Sequence, residues 1–264
     1  MLDFEPSQRL IWGFGIFGLF VFQAISSIAL FLYGVNRAQK DLISEHHVPE
    51  GSAILSSHHR EWYFEKIRPF EDFFIRHNFT PNMLTCFGFV LSVLAAAFYH
   101  FHWIGAAGWI VLVAGTFDIL DGTVARRTNR MSRSGAFFDS VLDRYAEMII
   151  YMGLMSHYIQ MQNFPMMWVV VGAIIGAQMV SYTRARAENA GVTGKVGIMQ
   201  RPERFVYLGF GSLFSSHLNA AFSPWLQQKQ YLLATTIMFI ALMSNLTAAR
   251  RFRSAFEELK KAVA

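Results

Sequence analysis

Residues 118–143 read DILDGTVARRTNRMSRSGAFFDSVLD, and the rest of the chain is organised around this stretch. It places four aspartates inside or against long apolar runs, at Asp118, Asp121, Asp139 and Asp143. An ionised carboxylate at the centre of a bilayer helix costs about 3 kcal/mol even on lenient insertion scales. Four such groups in one stretch therefore indicate a functional site.

Helical spacing groups these acids into two pairs. Asp118 and Asp121 fall on one helical face, and Asp139 and Asp143 share another because they lie four residues apart. The polar residues 126–135 between the pairs predict a turn, so two helices joined by it bring both pairs into one pocket. A site made only of carboxylate oxygens favours a hard cation, Mg²⁺ or Mn²⁺, over Zn²⁺. Such a cation implies phosphate chemistry.

The fixed positions of this stretch resemble the signature of the CDP-alcohol phosphotransferase family of membrane phospholipid synthases. All eight positions are present at the family's gaps: Asp118, Asp121, Gly122, Ala125, Arg126, Gly135, Asp139 and Asp143. The resemblance is specific within residues 118–143 and looser over residues 80–250, whereas the first 50 residues lie outside it.

Composition places the chain among polytopic α-helical membrane proteins. Hydrophobic residues make up 53% of it and charged residues only 16%, and apolar runs long enough to span a bilayer recur. The single Cys86 excludes a disulfide framework and a cysteine metal cluster. The net charge of +5 resides between the apolar runs, which is typical of topology determinants, and no nucleic-acid partner is expected.

The apolar runs predict a fold of six core transmembrane helices with one additional N-terminal transmembrane helix, Leu10 to Tyr33. The core spans are predicted at residues 83–101, 103–125, 137–159, 164–185, 203–222 and 230–248. The predicted domains are an anchor at 1–35, a cytoplasmic linker with an interfacial amphipathic helix at 36–78, a six-helix core at 79–249 and a basic tail at 250–264.

The distribution of Lys and Arg predicts the orientation. Loops near residues 102, 160–164 and 222–229 contain only Lys229 as a basic residue, whereas the alternate loops and the tail are rich in arginine. The positive-inside rule therefore places the N-terminus outside, the C-terminus inside and the aspartates at the cytoplasmic end. Aromatic and basic residues between Trp62 and Arg76 favour a helix in the cytoplasmic interface; a helix packed wholly against protein is the alternative.

The resemblance implies a CDP-lipid donor and release of CMP. It also implies that Asp118, Asp121 and Asp139 are the principal ligands of two divalent cations and that Asp143 is the general base, although a ligand role for Asp143 is also open. The residues expected to bind the nucleotide and diphosphate are Gly122, Ala125, Arg126, Gly135, Asn82 and Thr85. Arg126 offers a bidentate donor and the small residues leave room for the ligand. Helix capping alone is the alternative role for the Pro-Asn-x-x-Thr entry that contains Asn82 and Thr85.

A second basic cluster is the candidate acceptor site, formed by Arg184, Arg186, Lys195, Arg201 and Arg204. It suits an alcohol that itself carries phosphate. The segments around it resemble the branch that makes phosphatidylinositol phosphate or its archaeal ether-lipid counterpart, which implies inositol phosphate as acceptor. Glycerol 3-phosphate and an unphosphorylated alcohol are alternatives, and ordinary positive-inside charge is another explanation of the cluster. The resemblance also implies a homodimer.

Two functions of other kinds compete with this interpretation. A cation-coupled transporter would also keep carboxylates in its helices, but it predicts repeat-related interrupted helices, and the sequence has no convincing internal repeat. A catalytically inactive scaffold of the same fold is disfavoured because every motif residue is intact.

Overall fold

The computed structural model describes residues 57–192, 199–221 and 230–263. Within these ranges the chain is all α-helical, with seven helices and no strand. The helices are α1 (Ser57–Arg76), α2 (Pro81–His100), α3 (Ile104–Arg127), α4 (Arg133–Gln160), α5 (Phe164–Asn189), α6 (Arg201–Ala221) and α7 (Tyr231–Val263). The predicted N-terminal anchor, Lys195 and Lys229 lie outside the described residues.

Polar N-caps begin two of the helices that carry the site, α2 and α4. Thr80 caps α2 by accepting a bond from the Met83 amide at 3.3 Å, with Pro81 at the first helical position, as its sequence predicts. Ser132 caps α4 by accepting from the Gly135 amide at 3.0 Å. These caps satisfy amides that have no partner inside the helix and so define where α2 and α4 begin.

Short turns join α2 to α3, α3 to α4 and α4 to α5. The α2–α3, α3–α4 and α4–α5 turns each contain one residue in the left-handed region, namely His102, Asn129 and Gln162. α2 packs against α3 and α4, α3 packs against α6, and α5 packs against α7. The packing of α2 on α4 is close at Gly153, where an added Cβ would lie 2.5 Å from the backbone of Ala96.

The core has a large and a small part. The large cluster lies between α2, α3, α4, α5, α6 and α7 and includes the fully buried Tyr99, Val111, Leu154 and Ile237. The small cluster joins α1 to α2 and α3 through Ile67, Leu84, Leu120 and Val124. Because α1 touches the bundle through this small cluster, it lies beside the helix that carries the first aspartate pair.

Four of the described helices are long and apolar enough to cross a bilayer: α2, α3, α5 and most of α7. α4 and α6, which the sequence also predicts to span, are more polar, and their buried faces include Glu147, Glu203 and Arg204. The residues that the structure describes therefore confirm an all-helical membrane architecture, while the count of six core spans remains a prediction.

The largest difference between the helix bounds and the predicted spans is at the C-terminal end of α7. α7 continues past residue 248 to Val263, so the predicted basic tail extends the last helix. The extension is rich in Ala, Arg, Glu and Lys, which favour helix, and its charged residues make it more polar than a membrane span. The predicted interfacial helix corresponds to α1, which runs through Pro69 as one helix.

Candidate functional site

Three aspartates form a compact cluster between α3 and α4. Asp118, Asp139 and Asp143 each offer one carboxylate oxygen, and these oxygens lie within 4.8 Å of one another. All three side chains are half-buried. Carboxylates this close together repel each other unless a positive charge lies between them. Their spacing therefore suits the binding of a cation.

The fourth aspartate lies beside the cluster and is the most buried. Asp121 is 4% exposed, and its Oδ2 accepts a hydrogen bond from the Thr85 hydroxyl at 2.7 Å. Asp121 and Thr85 line one pocket together with Asp118 and Asp143. The two aspartate pairs therefore meet at one place, where the sequence spacing predicts them.

Arg201 enters the same pocket from the first turn of α6. Its guanidinium forms ion pairs with Asp118 and Asp143, and its side chain is 16% exposed. The guanidinium carbon also lies 5.0 Å from the centre of the Phe205 ring. The sequence predicts Arg201 as a contact of the acceptor, and the structure places it directly against the carboxylates.

One oxygen of the cluster is left without a hydrogen bond. Among the described residues, Asp139 Oδ1 is buried and has no hydrogen-bond partner. A buried carboxylate oxygen without a donor is costly, and a cation bound at the aspartate cluster would satisfy it.

The predicted diphosphate residues lie on the exposed end of α3. Arg126 is exposed, and its guanidinium folds back along the helix towards Gly122. A Cβ added to Gly122 would meet Arg126 Nη1 at 3.4 Å, so the glycine leaves this guanidinium space beside the helix. Ala125 is half-buried on the same turn.

The predicted nucleotide residues of α2 lie beside the start of α4. A Cβ added to Gly135 would lie 3.5 Å from Asn82 Oδ1, so the Asn82 side chain reaches the first turn of α4. Thr85, one turn further along α2, contacts Asp121 as described above. Asn82 thus lies beside the start of α4 and Thr85 lies against Asp121, while the nucleotide-binding role of both residues stays a prediction.

The other predicted acceptor residues do not gather at the pocket. Arg184 is exposed and pairs with Glu188 at 2.8 Å on the surface of α5, and Arg186 is also exposed. Lys195 lies outside the described residues. Of the five basic residues predicted to bind the acceptor, Arg201 is the one that lines the pocket in the described part of the chain.

Arg204 forms a buried ion pair that its sequence did not predict. Its Nε and Nη2 donate to the two Glu147 carboxylate oxygens at 2.5 and 2.8 Å, and its Nη1 donates to the Met199 carbonyl at 3.0 Å. Arg204 is 1% exposed and Glu147 is 3% exposed. The guanidinium therefore connects α6 to α4 inside the protein and does not line the pocket.

Glu147 is the functional-site neighbour that sequence reasoning missed. It lies four residues after Asp143 and eight after Asp139, so the three acids occupy one face of α4. This regular four-residue spacing is the sequence feature from which Glu147 could have been predicted to lie beside the aspartates. The chain thus carries a row of acids on α4 opposite two arginines of α6.

A further ion pair ties α1 to the end of α3. Arg127 bonds Glu71 at 2.7 Å and Asp72 at 2.6 Å. Arg127 follows Arg126 directly, so α1 is held next to the residues predicted to bind diphosphate.

The chain is similar to known proteins in both sequence and fold. Among curated relatives, the chain is 31% identical over 219 residues to a phosphatidylinositol phosphate synthase of Mycobacteroides abscessus, which covers 77% of this chain and 88% of that protein. It is 38% identical over 138 residues to an archaetidylinositol phosphate synthase of Pyrococcus horikoshii, which covers 52% of this chain and 71% of that protein.

A solved structure has the same architecture. The Mycobacterium tuberculosis phosphatidylinositol phosphate synthase with CDP-DAG bound matches with a TM-score of 0.62 and 28% identity, over 71% of this chain and 92% of that one. The same enzyme in complex with manganese and citrate matches with a TM-score of 0.61 and 26% identity, over 71% and 88% of the two chains. Residues 78–247, which contain all four aspartates, match the family described as CDP-alcohol phosphatidyltransferase. The chain therefore belongs to the CDP-alcohol phosphatidyltransferase family.

Proposed function

We propose that this integral membrane enzyme transfers a phosphatidyl group from a CDP-diacylglycerol-like lipid to inositol phosphate and releases CMP. The observation that carries the proposal is the pocket lined by three aspartates, Thr85 and Arg201, together with the fourth aspartate, Asp139, which clusters with two of them. The family and the named synthases among the relatives supply the reaction class. The comparisons give no support to a cation-coupled transporter.

The aspartates fit a divalent cation, Mg²⁺ or Mn²⁺. Their donor set is all oxygen, three of the carboxylates approach within 4.8 Å, and Asp139 Oδ1 has no hydrogen-bond partner among the described residues. We assign Asp118, Asp121, Asp139 and Asp143 as the residues that would hold two such cations. Bound there, the cations would offset the diphosphate charge and stabilise the attacking and leaving oxygens.

The diphosphate is assigned to the exposed end of α3. Arg126 donates to diphosphate oxygens through its forked guanidinium, and Gly122 and Ala125 leave the space that the donor needs. Asn82, Thr85 and Gly135 are assigned to the nucleotide side, because they surround the start of α4 next to the aspartates.

Asp143 is assigned as the base. The acceptor hydroxyl oxygen attacks the phosphorus that bears the lipid, the bond from that phosphorus to the CMP oxygen breaks, and CMP leaves with the electron pair. Asp143 accepts the hydroxyl proton; its place in the pocket lining puts it within reach of an acceptor that enters there. A ligand role for the same carboxylate is compatible with this assignment, since a carboxylate has two oxygens.

The acceptor phosphate is assigned to Arg201, which lines the pocket. Arg184, Arg186 and Lys195 are kept as further candidate contacts of the acceptor on the basis of the sequence alone. The identity of the acceptor rests on the relatives, which are synthases of phosphatidylinositol phosphate and archaetidylinositol phosphate. Glycerol 3-phosphate is the competing acceptor because it carries the same charged group.

The topology is also a proposal. We infer six core spans at residues 79–249, an N-terminal anchor at 1–35 and an interfacial linker helix at 36–78, with the tail at 250–264. The alternation of basic and neutral loops supports a cytoplasmic pocket, an outer N-terminus and an inner C-terminus. Exposed Phe70 and Phe73 on α1, beside Arg68 and Arg76, support its place in the interface. A homodimer is proposed on the family resemblance alone, and chemical cross-linking in membranes tests it.

Release of CMP tests the reaction. Purified enzyme is incubated with CDP-diacylglycerol and, in separate reactions, inositol 1-phosphate, glycerol 3-phosphate or free inositol. We expect CMP only with Mg²⁺ or Mn²⁺ and fastest release with inositol 1-phosphate. Asp139→Asn is expected to abolish release, whereas Glu257→Gln, an exposed carboxylate near the end of α7, is the control. Full activity of Asp139→Asn refutes the metal assignment, and release with glycerol 3-phosphate alone refutes the acceptor.

A further inference from the structure

Arg201 pairs with two of the three aspartates that form the cluster. Its guanidinium pairs with Asp118 and with Asp143, on α3 and α4 respectively. These are members of the group whose oxygens converge within 4.8 Å. The side chain of Arg201 thus supplies, from within the protein, the positive charge that the carboxylates need.

A guanidinium and a divalent cation cannot both occupy this position. Both are positive and both bind the carboxylates of Asp118 and Asp143, so a cation that binds there competes with Arg201 for these two groups. The cation carries twice the charge in a smaller volume and is therefore the stronger partner for a set of carboxylates.

The structure also determines which part of Arg201 can move. Arg204, three residues further along α6, is fixed by three hydrogen bonds to Glu147 and Met199, so it holds the backbone of this turn against α4. Arg201 is held instead by its ion pairs with Asp118 and Asp143 and by the Phe205 ring, 5.0 Å from its guanidinium carbon, and its Nε is buried without a hydrogen-bond partner among the described residues. The two ion pairs are therefore the contacts of Arg201 that a bound cation would compete for.

We propose that Arg201 is an internal counter-ion that exchanges places with the divalent cation. Cation binding at Asp118 and Asp143 releases the guanidinium into the pocket, where it becomes available to the phosphate of the acceptor. The cation therefore binds before the acceptor. This inference rests on the proposed function, because it takes the aspartates to be metal ligands.

Mn²⁺ titration without substrates tests the competition. Wild-type enzyme and Arg201→Gln are titrated with Mn²⁺ by calorimetry in the same detergent, with Arg253→Gln as the control because Arg253 is an 81% exposed arginine that pairs with Glu257 on α7. Removing a competing charge a few ångströms from the carboxylates is expected to tighten Mn²⁺ binding about tenfold or more, while the control stays at the wild-type value.

The outcomes separate this inference from the proposed function. If the wild-type enzyme binds no Mn²⁺, the metal site fails and the inference fails with it. If the wild-type enzyme binds Mn²⁺ and Arg201→Gln binds it equally or more weakly, only the inference is overturned. Arg201→Lys, which keeps the charge but lacks the fork, is expected to lie between the two.

Labelling of the wild-type protein tests the release directly and does not depend on any variant folding. Phenylglyoxal modifies accessible arginines, and peptide mass spectrometry reports each one. Mn²⁺ is expected to accelerate modification of Arg201, to leave the buried Arg204 protected and to leave the exposed Arg186 unchanged. Inositol 1-phosphate added with Mn²⁺ is expected to protect Arg201 again. Slower or unchanged modification of Arg201 with Mn²⁺ overturns the exchange, and failure of the phosphate to protect it overturns the role of the released guanidinium.

Discussion

The buried ion pair between Glu147 and Arg204 permits a stability test with a defined size. Replacing Glu147 by Gln keeps the shape of the side chain but removes the charge that compensates the guanidinium. The Arg204 side chain is 1% exposed and that of Glu147 is 4% exposed, and both carboxylate oxygens accept bonds from Arg204. The variant would therefore bury a full positive charge beside a neutral amide.

The magnitude follows from this burial. Breaking a buried ion pair by removing one partner costs about 3–5 kcal/mol. The bond from Arg204 to the Met199 carbonyl at 3.0 Å survives the change, which favours the lower end of the range. For a chain of this length, a loss of about 3 kcal/mol lowers the unfolding temperature by about 10 °C.

Thermal unfolding of detergent-purified protein, followed by circular dichroism, measures the effect. The double variant Glu147→Met with Arg204→Met removes both charges and is expected to recover most of the lost stability, because no uncompensated charge remains. If Glu147→Gln unfolds at the wild-type temperature, or if the double variant is as unstable as the single one, the pair does not have the role assigned to it.

Three further predictions concern packing, the attachment of α1 and the aspartates. Gly153→Ala places a Cβ against the backbone of α2 and is expected to destabilise the fold by about 1–3 kcal/mol, measured by thermal unfolding. Arg127→Ala removes the bond to Glu71 and is expected to speed tryptic cleavage within α1, measured by limited proteolysis. Thr85→Val removes the donor to Asp121 and is expected to weaken Mn²⁺ binding about tenfold, measured by calorimetry.

Each of these changes has a matched control. No atom lies within 4 Å of a Cβ added to Gly172, so Gly172→Ala is expected to be neutral or stabilising. Arg130 is exposed, and Arg130→Ala is expected to leave cleavage of α1 unchanged. The Thr183 hydroxyl bonds carbonyls of its own helix, so Thr183→Val is expected to bind Mn²⁺ normally. A control that changes as much as its test variant contradicts the corresponding contact.

The aspartate pocket could be predicted from sequence because its parts are local. Asp118 and Asp121 lie within one turn of α3, Asp139 and Asp143 lie one turn apart on α4, and a short turn joins the two helices. Helical periodicity and the short connection between the two helices are therefore the local features that bring the acids together. The cap at Thr80 was predictable for the same reason, since capping depends on neighbouring residues.

The arginine partners could not be predicted, because they depend on contacts between distant helices. Arg201 lies 83 residues from Asp118 in sequence, and Arg204 lies 57 residues from Glu147. Both arginines have the same local setting, and charge alone does not reveal which one faces the pocket. The end of α7 was missed for another reason: hydropathy reports where a bilayer ends, whereas helix propensity continues through the charged residues up to Val263.

The two arginines of α6 also determine the axial register of this helix. A slide by one turn, about 5.4 Å, would carry Arg204 towards Asp143 and leave Glu147 buried with no cation opposite it. The glycine contact with α3 opposes the same slide, since an added Cβ on Gly108 would lie 2.7 Å from the Gly209 carbonyl oxygen. The ion pairs with α4 and the close backbone contact with α3 thus both oppose movement of α6 along its axis. An axial shift of α6 is therefore a costly way to change the pocket, whereas rotation of the Arg201 side chain leaves the Arg204 ion pair and the glycine contact in place.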